Sequence, residues 1–226
     1  MSPPMAGPAE GARTHRPRCV LDASVLYQGL LRNLLLWIAA EGGLNPIWTE
    51  RILEETRRSL IEDGTLEPEQ WERLQAAMLA SFPEAMLDQA AADEMEHEMP
   101  NDEKDRHVLA AAVAGDADLV ITGNLRHFAQ TDVEKVGKRA ASPDQVLCEL
   151  LAATPAVVES AMQQLVAVMR TPRSWTLSEL LGRLAGLGRG DELAPRFAAA
   201  AAARLDIEMA VPPERPLRRG GQGDDP

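Results

Sequence analysis

Apolar residues in this chain fall into short clusters and helical stripes separated by polar turn signals. Residues 18–22 open with Cys19-Val20-Leu21 and end in Asp22, the pattern of a short buried strand. The stripe Leu30, Leu31, Leu34, Leu35, Trp37 and Ile38 predicts a helix over residues 30–40, stopped by Gly42-Gly43. Residues 44–48 read as a second short strand. Thr49 can cap a helix that runs to about Asp63, with Gly64 ending it. Trp71, Leu74, Met78 and Leu79 mark a further helix from near Pro68, whereas the acidic, methionine-containing residues 88–100 show no clear period. Pro100-Asn101-Asp102 punctuates the chain before a helix over residues 102–114. Residues 118–122 give the clearest strand, running into the polar turn Gly123-Asn124, and residues 138–141 give a weak last one. Ser142-Pro143-Asp144-Gln145 has the form of a capping box with proline at the first helical position.

Beyond residue 153 every pattern is helical. Thr154-Pro155 leads Val158, Met162, Leu165, Val166 and Met169. Thr176-Leu177-Ser178-Glu179 is a second capping box, and residues 194–207 are alanine-rich. The glycines of residues 186–190 have the look of a phosphate loop, but no strand precedes them. The expected organisation is a disordered tail (1–17), an α/β domain (18–152), an all-helical extension (153–210) and a second disordered tail (211–226).

Composition adds limits. The chain has 226 residues, two cysteines and a net charge of −12. Cys19 and Cys148 read as buried thiols, with no disulfide or zinc framework, so a reduced, cytoplasmic setting is the default. No apolar run approaches the roughly 18 residues of a membrane span. From Glu62 to Glu103 there are thirteen acids against one base, Arg73, so this segment carries the whole net charge. That argues against a surface that coats nucleic acid, yet leaves Arg51, Arg57, Arg58, Lys104, Arg106 and Arg126 close in sequence to the candidate site.

The candidate chemistry is a set of carboxylates. Asp22 ends the first strand, and in open α/β sheets that edge is where ligands bind. Alone it could equally be a helix cap. Asp105 shares a helical stripe with Val108, Leu109 and Ala112, and a carboxylate facing a core needs a pair, a proton or a cation. Glu55 follows Ile52 by one turn, and Asn124 lies at the tip of the best strand. Carboxylates crowded together repel unless a divalent cation neutralises them. Magnesium suits such oxygen donors, and phosphodiester hydrolysis is the natural reaction class.

The motifs carry a resemblance. Leu21-Asp22-Ala23-Ser24-Val25-Leu26 is similar to the opening motif of PIN-domain nucleases, and Thr49 followed by Glu55 to their second. Asp105-Arg106-His107-Val108-Leu109-Ala110-Ala111-Ala112 resembles the third, and Val120-Ile121-Thr122-Gly123-Asn124 through Phe128 the fourth. Order and spacing agree over residues 18–150, closest to VapC-like toxins of type II toxin–antitoxin systems, including the branch with a helical extension. The resemblance implies a three-layer α/β/α sandwich on a mainly parallel sheet, followed by the helical extension. It implies a Mg2+- or Mn2+-dependent endoribonuclease with Asp22, Glu55 and Asp105 as catalytic and metal-binding carboxylates. Ser24 and Thr122 would orient them. Many PIN nucleases carry aspartate where this chain has Asn124, which favours one tightly held ion, with Asp102 as a compensating charge. Arg58, Arg106 and His107 are candidate RNA contacts. RNA, an antitoxin protein and a second copy of the chain are the implied partners. The competing reading is a catalytically impaired PIN scaffold that binds protein or RNA. A phospho-acceptor receiver would need a late lysine that is missing here, and a dehalogenase-like phosphatase would need aspartate at Ser24.

Overall fold

The computed structural model describes residues 16–169, 174–186 and 193–211. Strands β1 (Arg18–Leu21), β2 (Asn45–Ile47), β3 (Leu119–Ile121) and β4 (Ala140–Ala141) form one parallel sheet in the order β2-β1-β3-β4. Cys19 lies opposite Pro46 on one side and Leu119 on the other. β1 and β3 are central and read as unbroken apolar runs, because strands of a parallel sheet are covered on both faces. Pro46 is tolerated because β2 is an edge strand, where a missing N–H leaves no ladder bond unmade. Cys19 is fully buried. Burial, and then the nearby Asp118 carboxylate, pushes its thiol up to about 12, so it behaves as a small apolar side chain.

β1 leads to β2 through α1 (Ala23–Tyr27) and α2 (Gly29–Ala40). β2 leads to β3 through α3 (Glu50–Glu62), α4 (Pro68–Ser81), α5 (Gln89–Glu96) and α6 (Arg106–Ala114), and β3 to β4 through α7 (Gln130–Lys135). Right-handed crossovers place the first connection on one face of the sheet and the others on the opposite face, which makes the three-layer α/β/α sandwich expected. The connections after β1 and β3 diverge. Between the C-terminal ends of those two strands the divergence opens a crevice, the usual ligand site of such sheets.

Several local expectations need correction. The apolar run after Asp22 is already helical from Ala23, and the chain bends at Gln28 (φ −75°, ψ 90°) before α2. Residues 88–100 are not shapeless, since the Asp88 side chain accepts from the N–H of Ala90 and caps α5. The helix expected over 102–114 is split. Asp102 accepts from Lys104 N, Glu103–Asp105 form a 3-10 turn, and Asp105 sits at the N-cap of α6 without capping it. Ser142 caps α8 (Pro143–Ala153), but the Gln145 side chain donates to Glu149 instead of closing the box. Arg16 and Pro17, expected in the tail, are placed: Asn45 N donates to Pro17 O at 2.8 Å. The rest of both tails, and residues 187–190 of the glycine run, lie outside the described residues.

The extension continues with α9 (Pro155–Val168), α10 (Leu177–Leu184) and α11 (Pro195–Leu205). α9 packs on α2 and α11 on α8, so Val158, Met162, Leu165, Leu181 and Phe197 join the same core as the sheet. The capping box at Thr176 forms in both directions. At α11 the N-cap residue is Ala194, which cannot cap, and Asp144 of α8 supplies the acceptor for Phe197 N at 2.8 Å. Residues 207–211 run back over α10, where Ala210 N donates to Ser178 O, and a Cβ on Gly182 would meet Ala210 O at 1.8 Å. No single helix among the described residues is long and apolar enough to cross a membrane.

Candidate metal and nuclease site

Asp22 emerges where β1 ends and is almost fully buried. Its Oδ2 accepts from Thr122 Oγ1 and from Ser24 Oγ, each at 2.6 Å. The two hydroxyls are themselves held, Thr122 by the N–H of Asn124 (2.9 Å) and Ser24 by the N–H of Gly123 (3.0 Å). The C-terminal ends of β1 and β3 are thereby stitched together through one carboxylate oxygen. Among the described residues no donor reaches Oδ1, the oxygen left for a ligand.

Glu55 comes from α3, whose first turn is fixed by the Thr49 cap on Ile52 N. One carboxylate oxygen lies 3.2 Å from His107 Nε2 and the other 3.6 Å from Arg51 Nε. Burial pushes the Glu55 carboxyl up. The hydrogen bond from His107 and the positive charges of His107, Arg51 and Arg58 outweigh it and hold the group below its ordinary value. Glu55 is therefore an ionised carboxylate at neutral pH. His107 was a candidate RNA contact; it is 2% exposed and bound to Glu55, so it supports the site from beneath instead. Arg106 is half-buried with its Nε unpartnered, and Arg58 is exposed.

Asp105, on its 3-10 turn, faces a histidine that the sequence reading passed over. His127 Nδ1 is 2.6 Å from Asp105 Oδ2, and His127 Nε2 accepts from Arg126 Nε at 3.0 Å. This arrangement puts the ring proton on Nδ1, donated to the carboxylate. A second 3-10 turn, Leu125–His127, carries the imidazole there, and Asp102 N donates to His127 O at 3.4 Å. Ligand atoms of Asp102, Asp105 and His127 lie within 4.8 Å of one another. The only sequence signal was His127's place three residues after Asn124 in the fourth motif.

Asp22, Glu55, Asp105 and Asn124 line a single cleft of about 640 Å³, together with Ser24, Tyr27 and Arg58. Four segments that are far apart in sequence converge there, at the divergence point of the sheet. A larger groove of about 980 Å³ runs along the neighbouring side of α3 and shares Glu55 and Arg58 with it, but the other acids of that set do not reach it. Residues 18–126 match the family model of the PIN domain. Over that stretch the chain is PIN-like. All four converging segments fall inside the stretch, while β4 and the helices after it lie beyond the matched range. A stretch of 107 residues is 36% identical to the protein of Mycobacterium tuberculosis named "Putative ribonuclease VapC50", covering 46% of this chain and 57% of that relative. The chain thus matches little more than half the length of that relative. No solved structure matches the chain.

The donor set fits a divalent cation. The carboxylates of Asp22, Glu55, Glu62, Asp63 and Asp105 line one cleft with Arg58, Arg51 lies 3.6 Å from Glu55, and one oxygen of Asp22 is open. Among oxygen-preferring ions, Mg2+ and Mn2+ suit such a site.

Proposed function

We propose that this protein is a metal-dependent endoribonuclease that hydrolyses RNA phosphodiester bonds. It acts as the toxin of a type II toxin–antitoxin pair, with a cognate antitoxin protein as its partner. The observation that carries the reading is the convergence of Asp22, Glu55 and Asp105 in one cleft at the divergence point of a PIN-domain sheet. The likeness to a Mycobacterium tuberculosis protein named as a ribonuclease supports RNA as the substrate.

In this reading Asp22, Glu55 and Asp105 would hold the ion, which would supply a Lewis acid for the phosphoryl group and make a water easier to deprotonate to the nucleophile. Thr122 and Ser24 fix the Asp22 carboxylate in one orientation, so no reorganisation is needed when the substrate binds. His107 and Arg51 keep Glu55 charged. Arg58 has no ion pair among the described residues and stands at the cleft wall, available to a phosphate. Asn124 contributes an amide where a charge would repel the substrate backbone.

The test is cleavage of labelled structured RNA by the full chain with Mg2+, with Mn2+ and with EDTA, beside a variant carrying both Asp22→Asn and Asp105→Asn. Metal-dependent cleavage that vanishes in the variant is expected. Cleavage that survives in it would place the chemistry elsewhere. Absence of both cleavage and metal binding would leave a non-catalytic scaffold.

A further inference from the structure

We infer that Tyr27 is the base platform of the cleft: its ring stacks on the nucleobase beside the scissile phosphate, so the site takes RNA as an unpaired strand. The inference rests on the ribonuclease reading above and adds the residue that grips the substrate. Tyr27 is the chain's one tyrosine and the aromatic side chain among the residues that line the cleft. It follows Ser24 by three residues on α1, so the two share a helix face at roughly 5–6 Å between Cβ atoms. Ser24 in turn donates to Asp22. The ring therefore stands one helical turn from the support of the Asp22 carboxylate.

Its position is fixed before any ligand arrives. The Tyr27 hydroxyl donates to Asp63 Oδ2, and Asp63 Oδ1 accepts from Thr65 N at 2.9 Å. Asp63 closes α3, the helix that carries Glu55, so the bond ties the α1 wall of the cleft to the α3 wall. That bond pushes the phenol up and the Asp63 carboxyl down, which keeps Tyr27 a neutral donor at neutral pH. A ring held by its far end has little rotamer freedom left to lose on binding.

Charge decides that the grip falls on a base. The cleft walls carry the carboxylates of Asp22, Glu55, Glu62, Asp63 and Asp105 against one guanidinium, Arg58. One divalent ion still leaves those walls negative, so beyond Arg58 they offer RNA phosphates no hold of the kind a basic groove gives. Stacking on an aromatic ring needs no net charge, and every base has a face to offer. Bases inside a duplex are stacked on one another, whereas unpaired ones can splay out onto a side chain. Trp71 lines the neighbouring groove but is 2% exposed, so its ring is not available for this. A merely structural Tyr27 would act through the hydroxyl that pins α1 to α3, while a platform acts through the ring.

The experiment follows cleavage of a short labelled oligoribonucleotide by the full chain with Mg2+ or Mn2+, both unpaired and annealed to its complement. Tyr27→Ala should raise KM about fivefold or more with kcat little changed, and Tyr27→Phe, which keeps the ring, should restore the unaltered KM. An abasic nucleotide beside the mapped cleavage point should cost the unaltered chain the same factor and cost Tyr27→Ala nothing further. The unpaired strand should be cut in preference to the duplex. An unchanged KM in Tyr27→Ala, equal losses in Tyr27→Ala and Tyr27→Phe, or an abasic effect that adds to Tyr27→Ala would overturn the platform and leave the nuclease standing. Cleavage of the duplex as fast as the strand would do the same. No metal-dependent cleavage of any RNA by the unaltered chain would overturn both.

Discussion

Replacing Thr122 by valine keeps the shape of a fully buried side chain and removes one hydroxyl. That hydroxyl donates to Asp22 Oδ2 at 2.6 Å and accepts from Asn124 N at 2.9 Å. A hydrogen bond to a charged group contributes roughly 1.5–3 kcal/mol. Asn124 is only half-buried, so water can replace its lost acceptor and little is added. The variant should lose about 2 kcal/mol, close to a thirtyfold change in the folding equilibrium, seen as a Tm fall of about 4–8 °C. Ser24→Ala removes a bond of the same 2.6 Å length but from a half-exposed side chain, where water substitutes, so its loss should be smaller. The assay is urea unfolding in EDTA of Thr122→Val, Asp22→Ala and the double variant. If the hydroxyl holds the carboxylate, the double-variant cycle gives a coupling of about 1.5–3 kcal/mol. A coupling below about 0.5 kcal/mol is indistinguishable from additivity and would refute the argument that Thr122 preorganises Asp22.

Two other outcomes are expected. Glu55 has its carboxyl held below the ordinary 4.5, so its contribution to stability is complete above that value and is lost as pH falls through the lower folded value. Glu55→Gln in EDTA should therefore lose less stability than the unaltered chain between about pH 6 and about pH 3, and parallel urea titrations would contradict this. Asp144→Ala removes the acceptor that serves Phe197 N at the start of α11, so about 1 kcal/mol should go and the amides of α11 should exchange faster, while metal binding stays the same. Unchanged exchange in α11 would show that packing of Phe197 alone docks the helix.

The sequence revealed most where local chemistry and tertiary role coincide. Cys19-Val20-Leu21 is apolar throughout because both faces of a central parallel strand are covered, and Asp22 breaks the run at the point where the sheet ends. Thr49, Asp88 and Thr176 form caps through bonds two or three residues away, and that range is what a sequence window can see for Thr49 and Thr176. Asp88 went unread because an acidic segment with no apolar period hides its own start. The split at Asp105 was invisible for a related reason. Val108, Leu109 and Ala112 project a helical period backward onto Asp105, but the local bond of Asp102 to Lys104 N tightens that turn into 3-10 form.

The supporting shell of the site was the part least open to reading, and its physics explains why. His107 and His127 act on Glu55 and Asp105 across 52 and 22 residues, and Thr122 acts on Asp22 across 100. No periodicity encodes such pairs. They exist because parallel crossovers return each strand to the same edge, so residues placed after strand ends meet whatever their distance along the chain. His107 stands in the first turn of α6, and its neighbours Val108 and Leu109 already mark the buried face, which an RNA contact would not share. His127 lies past the strand tip on a 3-10 turn closed by His127 N to Asn124 O at 2.9 Å and Phe128 N to Leu125 O at 3.0 Å. The carboxylates of this site are therefore visible one by one, but the partners that orient them, His107, His127 and Thr122, are brought near only by the closed sheet. Variants of those partners, more than of the carboxylates, report whether the cleft is built for an ion.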